Sequence, residues 1–379
     1  MTRGQDRDAP LSLTERWYRW RDRLLRDPRF QRWAARFPLT RGIAARRSLE
    51  LFDLVAGFVY SQVLFALVRS RLLEALADGP RTLEQLAEQA GLPPDATRRL
   101  CGAGVSLRLL RLGEGGRYGL GDLGAALLAN PGVSAMIEHH ALLYRDLADP
   151  VGLLGDESRA TELSAFWAYA RNAEADALSP EQVGEYSALM GVSQGFIAGE
   201  ILDAYAIARH RLVLDVAGGE GAFIRAAAQR APQTRFLLFD LPAVAERAGR
   251  AFAQAGIDGR AQAVGGNLFA DPLPQGADLA CLIRVLYDHP RERALAILRA
   301  IHQALAPGAT LLVAEPMAGL AGAERVGGAY FAFYLLAMRG GEARDASQIA
   351  ALLQEAGFSA IASVPTRRPL LTSLIRAGR

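Results

Sequence analysis

At 379 residues, 51% of them hydrophobic, the chain is too long for one ordinary core and long enough for two domains. A net charge of +3 gives no general affinity for nucleic acid. All 43 basic residues are arginine, which excludes a Walker-type phosphate loop and any lysine Schiff base.

The charge is unevenly spread. Residues 1–50 carry 13 arginines against 6 acidic residues, a net +7 that leaves about −4 for the remainder. Residues 12–50 read as helical, with Trp17, Tyr18, Trp20, Phe30, Trp33 and Phe37 interleaved among arginines. Rings beside guanidinium groups suit a membrane surface; an arm packed on the body or on a second subunit has the same composition. The N-terminus lacks the apolar run of a signal peptide. The apolar stretch Leu51 to Val68 is interrupted by Asp53, Ser61 and Gln62, and reads as a buried helix, in the chain's own core or at a subunit interface, rather than a membrane span. Cys101 and Cys281 have no metal-ligand spacing, so neither a metal nor a disulfide is expected, and a reducing cytoplasmic setting fits, with peripheral contact at the inner membrane through the arm.

Residues 63–124 have the order of a winged helix. Thr82 can cap a helix with Gln85 in the capping-box position, and Gly91 ends it. Pro93-Pro94 opens the next helix, and Leu110 to Leu120 forms a small hairpin around a glycine turn. In an enzyme such a module builds a dimer interface more often than it binds DNA. Residues 125–209 are again helical and contain His139-His140 and the cluster Phe166, Trp167, Tyr169. From 211 onward strands alternate with helices, at 211–216, 235–239, 261–265, 278–283, 309–315, 359–364 and 370–376. That rhythm predicts a parallel sheet covered on both faces. The last two strands have no helix between them, so one should run antiparallel. Four segments follow: an arm (1–50), a winged-helix domain (51–125), a helical segment closing the site (126–209) and a Rossmann-like domain (210–379).

The strongest local signal is Leu212-Val213-Leu214-Asp215-Val216-Ala217-Gly218-Gly219-Glu220-Gly221, a strand entering a glycine turn and then a helix. Glycine there lets the backbone approach a ligand, and the helix N-terminus offers free N–H groups to a carboxylate. The second strand ends at Asp240, 25 residues after Asp215, where an acid can accept both ribose hydroxyls of an adenosine. A dinucleotide fold shares these features, but its third glycine is replaced by Ile224. Asp215, just before the turn, suits a cationic ligand such as a sulfonium amino acid and has no use for a pyrophosphate. The third strand ends in Gly265-Gly266-Asn267-Leu268-Phe269, a polar and apolar pair placed to grip adenine. S-adenosylmethionine meets all these demands.

The sequence resembles the O-methyltransferase family that includes plant caffeic acid and animal hydroxyindole O-methyltransferases, over about residues 50–379. The marks are Asp215-Val216-Ala217-Gly218-Gly219-Glu220-Gly221, Phe239-Asp240-Leu241-Pro242, Gly266-Asn267-Leu268-Phe269, Arg284-Val285-Leu286-Tyr287-Asp288 and Val313-Ala314-Glu315-Pro316. The resemblance implies an α/β fold, a Rossmann-like class I methyltransferase domain with a helical, winged-helix N-terminal dimerisation domain, and a homodimer that does not bind nucleic acid. It implies that Gly218 and Gly219, flanked by Asp215 and Gly221, face the methionine moiety. Asp240 with Leu241 would take the ribose, Gly266, Asn267 and Leu268 the adenine, and Arg284 would lie along the cleft. Tyr169, Met190 and Ser193 would close it, and His139, His140, Phe166 and Trp167 would line the substrate site. A closer resemblance is to the carotenoid O-methyltransferases of purple photosynthetic bacteria, of the hydroxyneurosporene or demethylspheroidene type. It rests on Trp20-Arg21-Asp22-Arg23-Leu24-Leu25, Phe30-Gln31-Arg32-Trp33-Ala34-Ala35-Arg36-Phe37-Pro38 and Arg284 to His289. Those enzymes methylate the tertiary hydroxyl of a long apolar carotenoid, and a membrane-dissolved substrate would account for the arm.

Two departures bear on mechanism. The family has His-Asp, with that His as general base, where this chain has Tyr287-Asp288. Of the family's two carboxylates that orient the His, only Glu315 matches cleanly; the second falls near Glu342 or Ala343. Base candidates are His289, Tyr287 and the His139-His140 pair, with His289 favoured on its intrinsic pKa and Tyr287 expected to position the hydroxyl. Methylation of another large apolar pigment or polyketide, including carbon methylation of a bacteriochlorophyll precursor, is the alternative enzymatic reading. A cofactor-sensing winged-helix regulator is the non-enzymatic one, and the negative charge outside the arm weighs against it.

Overall fold

The computed structural model describes residues 12–167, 194–195, 197–320, 322, 324–369 and 372–379. They form two compact units, 1–123 and 124–379.

The first unit begins with three helices, α1 (Leu13–Arg26), α2 (Pro28–Arg36) and α3 (Arg41–Arg69). A Ser12/Glu15 capping box starts α1, and Asp27 caps α2 ahead of Pro28. Neither α1 nor α2 buries a residue. The expected burial of α3 is not met within one chain. Only Leu67 and Val68 are covered, while Leu51, Phe52, Leu54, Val55, Phe58 and Val59 stand exposed. By length and composition α3 could cross a membrane. A short helix α4 (Leu72–Ala75), α5 (Leu83–Ala90) and α6 (Pro94–Ser106) follow, then a hairpin of β1 (Leu110–Leu112) and β2 (Tyr118–Leu120). The Thr82/Gln85 capping box and the left-handed Gly91 at the end of α5 are as the sequence predicts. Arg81 bridges to Tyr118, giving the hairpin a third, one-residue rung.

The second unit opens with α7 (Asp122–Leu128), α8 (Pro131–Asp146), α9 (Pro150–Gly155) and α10 (Glu162–Phe166). A seven-stranded sheet then carries the core: β3 (Leu212–Val216), β4 (Arg235–Asp240), β5 (Ala261–Gly265), β6 (Leu279–Ile283), β7 (Thr310–Glu315), β8 (Ser359–Val364) and β9 (Ser373–Gly378). The strand order is β5-β4-β3-β6-β7-β9-β8. Only β9 runs antiparallel to its neighbours, as the missing crossover helix requires. It starts at Ser373 rather than 370, because the Thr372 N–H still turns back to the Arg368 carbonyl. Period-2 alternation places Leu214 and Val216 against one apolar layer and Val213 against the other. Helices α11 (Ala222–Arg230) and α12 (Pro242–Gln254) build one layer, and α13 (Arg291–Ala304) and α15 (Ala346–Glu355) the other. Between β7 and β8 also lies α14 (Ala332–Met338), entered through a wide π turn at Val326–Phe331.

The chain order 3-2-1-4-5-7-6 reverses direction at β3, so a crevice opens at the C-terminal ends of β3, β4 and β6. The turn after β3 must clear it. Gly221 begins α11 at φ +73, and a Cβ there would overlap the Phe252 ring. Gly221→Ala should therefore lower stability by about 1–3 kcal/mol, from strain and overpacking together. Urea unfolding followed by circular dichroism checks this; an unchanged midpoint would show that the turn relaxes freely.

Candidate active site

The crevice is a cleft walled by Ala217 and Gly219 from the β3 turn, Asp240 and Leu241 after β4, Gly266 to Phe269 after β5, and Arg284, Val285, Asp288 and His289 after β6. The expected cofactor residues Gly219, Asp240, Leu241, Gly266, Asn267, Leu268 and Arg284 thus lie in one cleft. Gly218 packs on Asp215 directly beneath, so closely that a Cβ would strike the carboxylate. Gln194, which sequence reading passed over, also lines the cleft, and its buried Oε1 has no partner. Tyr169, Met190 and Ser193 lie outside the described residues.

Two carboxylates lie near one end: Asp240 lines the cleft, and Asp215 is buried beneath the turn that walls it. Asp215 is 1% exposed and neither of its oxygens has a hydrogen-bond partner. Burial, then the nearby Asp240, pushes its pKa up to about 8. Asp240 accepts the Gly219 N–H at 2.8 Å on Oδ2 and the Leu241 N–H at 2.7 Å on Oδ1. Burial raises its pKa to about 6 against the pull of those two bonds. A buried carboxylate with no partner in the protein fits a cationic ligand group, and Asp240 keeps lone pairs for hydroxyl donors. At the other end, Asn267 accepts the Phe269 N–H at 3.0 Å, while its own N–H donates to Asp271 at 2.7 Å. That turn holds Leu268 and Phe269 at the cleft. S-adenosylmethionine, with an ammonium, ribose hydroxyls and an adenine, has the groups that such a donor and acceptor set can hold.

The segment after β6 carries the base candidates. Glu315, at the end of β7, accepts the N–H groups of Val285 (3.0 Å) and Leu286 (2.8 Å) through Oε1. Its Oε2 is buried without a partner, and burial raises its pKa to about 8. Glu315 therefore braces backbone and orients no imidazole. Arg344, 4% exposed, donates to the carbonyls of Leu286 (2.8 Å) and His289 (2.9 Å) and to Glu342 (2.9 Å). The Glu342 N–H donates to the Tyr287 carbonyl at 2.9 Å. The family's second carboxylate position is thus occupied by a clamp on the same turn.

The clamp sends neighbouring side chains in different directions. Tyr287 enters an aromatic cluster with Trp167, Tyr334 and Leu143, and burial holds its phenol well above the usual range despite a hydrogen bond with Arg284. A phenol so placed stays protonated, which argues against proton removal by Tyr287. His289 faces the cleft, edge-on to Phe269 with ring centroids 5.5 Å apart, and Arg293 lies over that same Phe269 ring at 4.1 Å. Burial, then the charges of Arg293 and Arg344, pushes the His289 pKa down to about 3. That makes it a very weak base, and its ring belongs to the Asn267–Phe269 end of the cleft. His289 thus lines the cleft as a weakened proton acceptor.

His139, His140, Phe166 and Trp167 do come together, and they bring in Tyr330 and Tyr334. Tyr334 Oη accepts the Trp167 indole N–H at 2.9 Å and lies 3.0 Å from His139 Nε2. An indole can only donate, which leaves the Tyr334 phenol proton available to His139 Nε2. Burial lowers the His139 pKa to about 4. His140 Nε2 lies 2.7 Å from Tyr330 Oη, and His140 remains half-buried, its pKa lowered by burial. The i, i+4 pair Tyr330 and Tyr334 on one helical face was the available sequence signal.

Residues 144–359 match the model of the O-methyltransferase domain, and residues 52–130 that of the O-methyltransferase dimerisation domain. The chain belongs to the O-methyltransferase family. It is 44% identical to demethylspheroidene O-methyltransferase of Cereibacter sphaeroides, covering 94% of each chain. It is 41% identical to the enzyme of the same name from Rhodobacter capsulatus, covering 91% of this chain and 85% of that one. In fold it is similar to human N-acetylserotonin methyltransferase in complex with S-adenosylmethionine, with a TM-score of 0.72 and 24% identity over 88% of this chain and 97% of that one. The protein is an S-adenosylmethionine-dependent methyltransferase with a class I fold, and its dimerisation domain makes it a homodimer. The exposed face of α3 falls largely within that domain, which accounts for apolar residues that a lone chain would not leave in water.

Replacing Asp240 by Ala should weaken S-adenosylmethionine binding by about 1.5–3 kcal/mol, the range of hydrogen bonds to a charged acceptor. Calorimetry on the folded variant reads this, and wild-type affinity would mean that the ribose lies elsewhere.

Proposed function

We propose that the enzyme transfers a methyl group to the tertiary hydroxyl of a hydroxylated carotenoid. The observation that carries this reading is the near full-length similarity to two demethylspheroidene O-methyltransferases. The side chains around Tyr287 support it: that cluster is aromatic and aliphatic, with polar groups confined to histidine, tyrosine and tryptophan tips. An apolar chain with one hydroxyl needs such a lining. A substrate of that kind dissolves in a bilayer, and a cytoplasmic protein meeting it at the inner membrane through residues 12–50 is part of the proposal.

In this reading Asp215 accepts the cofactor's ammonium, Asp240 its ribose, and Asn267, Leu268 and His289 enclose its adenine. The sulfonium supplies an already activated methyl group, so the protein's main task is alignment of the acceptor oxygen. A tertiary alcohol still needs a proton acceptor as the new bond forms. Both histidines of α8 bond a tyrosine, but His139 is buried with its pKa lowered to about 4, whereas His140 is half-buried. His140, half-buried and neutral at pH 7, is the acceptor that this reading assigns. Arg284 supports it: this cleft residue exerts its charge on Tyr330, the hydrogen-bond partner of His140, and bonds Tyr287. Tyr287 would then position the hydroxyl.

Mass analysis of products, after incubation with cofactor and a panel of hydroxylated carotenoids, tests the substrate. A methyl ether on a tertiary hydroxyl is expected, and transfer only to phenols or to carbon would overturn the reading. In the same assay His140→Ala should lose turnover by roughly 10²–10⁴-fold, the size of a general-base contribution. Tyr287→Phe should lose about tenfold or less, one hydrogen bond's worth. The reverse ranking would return the base role to Tyr287.

The raised pKa of Asp215, about 8, sets a pH dependence. In the free protein its acid form dominates below that value, and a cationic ligand binds its carboxylate. Binding therefore releases a proton, and affinity should rise with pH, by about tenfold per unit between pH 6 and 7 while the ligand's amine stays charged. Calorimetry in buffers of different ionisation enthalpy measures the proton. A flat profile, or one that Asp215→Asn leaves unchanged, would contradict the assignment.

A further inference from the structure

Residues 12–40 hold eight arginines and three acids. The acids are engaged locally: Glu15 accepts the Ser12 N–H, Asp22 pairs with Arg21, and Asp27 accepts the Arg29 N–H. Arg29, Arg32 and Arg36 recur at i, i+3 and i+7, so they share one face of α2, and they form no ion pair among the described residues. With Trp33, Phe37 and Pro38 they line a shallow concavity. Trp33 and Phe37 stack at 4.9 Å and 15°, which fixes the indole beside the guanidinium groups. Trp17, Trp20 and Trp33 are 53%, 59% and 50% exposed.

We propose that α1 and α2 dock the protein on an anionic membrane surface, with lipid phosphates seated on Arg29, Arg32 and Arg36 and the Trp33 indole at headgroup depth. Guanidinium groups bind phosphate bidentately, and tryptophan prefers the interface between headgroup and chain. Symmetric pairing with a second copy would press two segments of net +5 together, which charge opposes. Nucleic acid would use the arginines but would leave three exposed indoles on adjoining helices without an apolar partner. The inference adds the binding surface to the membrane contact proposed above. Its test contains no carotenoid, so it can fail or succeed independently of the substrate.

The experiment floats full-length protein with vesicles of phosphatidylcholine alone and of phosphatidylcholine with phosphatidylglycerol. Binding to the anionic vesicles only, weakening with salt, is expected. The triple variant R29Q/R32Q/R36Q should bind roughly 100-fold more weakly, about fivefold per arginine. Trp33→Ala should also weaken binding, and both variants should keep wild-type circular dichroism and cofactor affinity. Equal binding of wild type and triple variant, release of vesicles by inorganic phosphate at matched phosphate concentration, or tighter binding to duplex DNA than to anionic vesicles would each overturn the proposal.

Discussion

The turn after β6 is gripped from two sides, and the working parts of the site depend on that grip. Glu315 takes the N–H groups of Val285 and Leu286, while Arg344 takes the carbonyls of Leu286 and His289. Gly341 lets the third strap come close: at φ +86 it lies so near the Tyr287 carbonyl that a Cβ would collide with it. Orphan backbone groups in a buried irregular turn would each cost about 1–3 kcal/mol. Here side chains from β7 and from just before α15 satisfy them.

That rigidity has a chemical consequence. Consecutive residues serve two compartments, Tyr287 facing the aromatic cluster and Asp288 and His289 the cofactor cleft. The same clamp sets the electrostatics. Burial, then Arg293 and Arg344, depresses the His289 pKa, and burial, then Asp288 and Glu315, raises that of the Tyr287 phenol. Of the two side chains that sequence alone favours for proton chemistry, the Tyr287 phenol is thereby kept protonated and the His289 imidazole is left weakly basic. Proton removal shifts, in our proposal, to a histidine on α8, whose tyrosine partner feels the charge of Arg284.

Much of this was legible in the sequence, for physical reasons. Sheet strands buried on both faces read as short apolar runs, and their bounds fell within a few residues. The Asp215 to Gly221 and Asp240 to Leu241 signals are local, because one βαβ unit brings them together. What was not legible depends on distance along the chain. His139 and Tyr334 are 195 residues apart and His140 and Tyr330 are 190 apart, so no local pattern announces either pair. The His289 pKa depends on burial by the folded chain first, then on Arg293 and on Arg344, 55 residues away in sequence, and an intrinsic value of 6.5 could not anticipate it. The exposure of α3 was hidden for another reason. An apolar helix has the same composition whether it faces its own core or a partner subunit.

In our proposal the methyl donor lies across β3, β4 and β5 and presents its sulfur toward the aromatic cluster around Tyr287. A crystal structure with S-adenosylhomocysteine and a carotenoid alcohol tests this directly. The account predicts the amine on Asp215, the ribose on Asp240, the adenine against Asn267 and His289, and the substrate oxygen between the sulfur and His140. A cofactor bound in the opposite sense, or a substrate oxygen nearer to His289 than to His140, would contradict it.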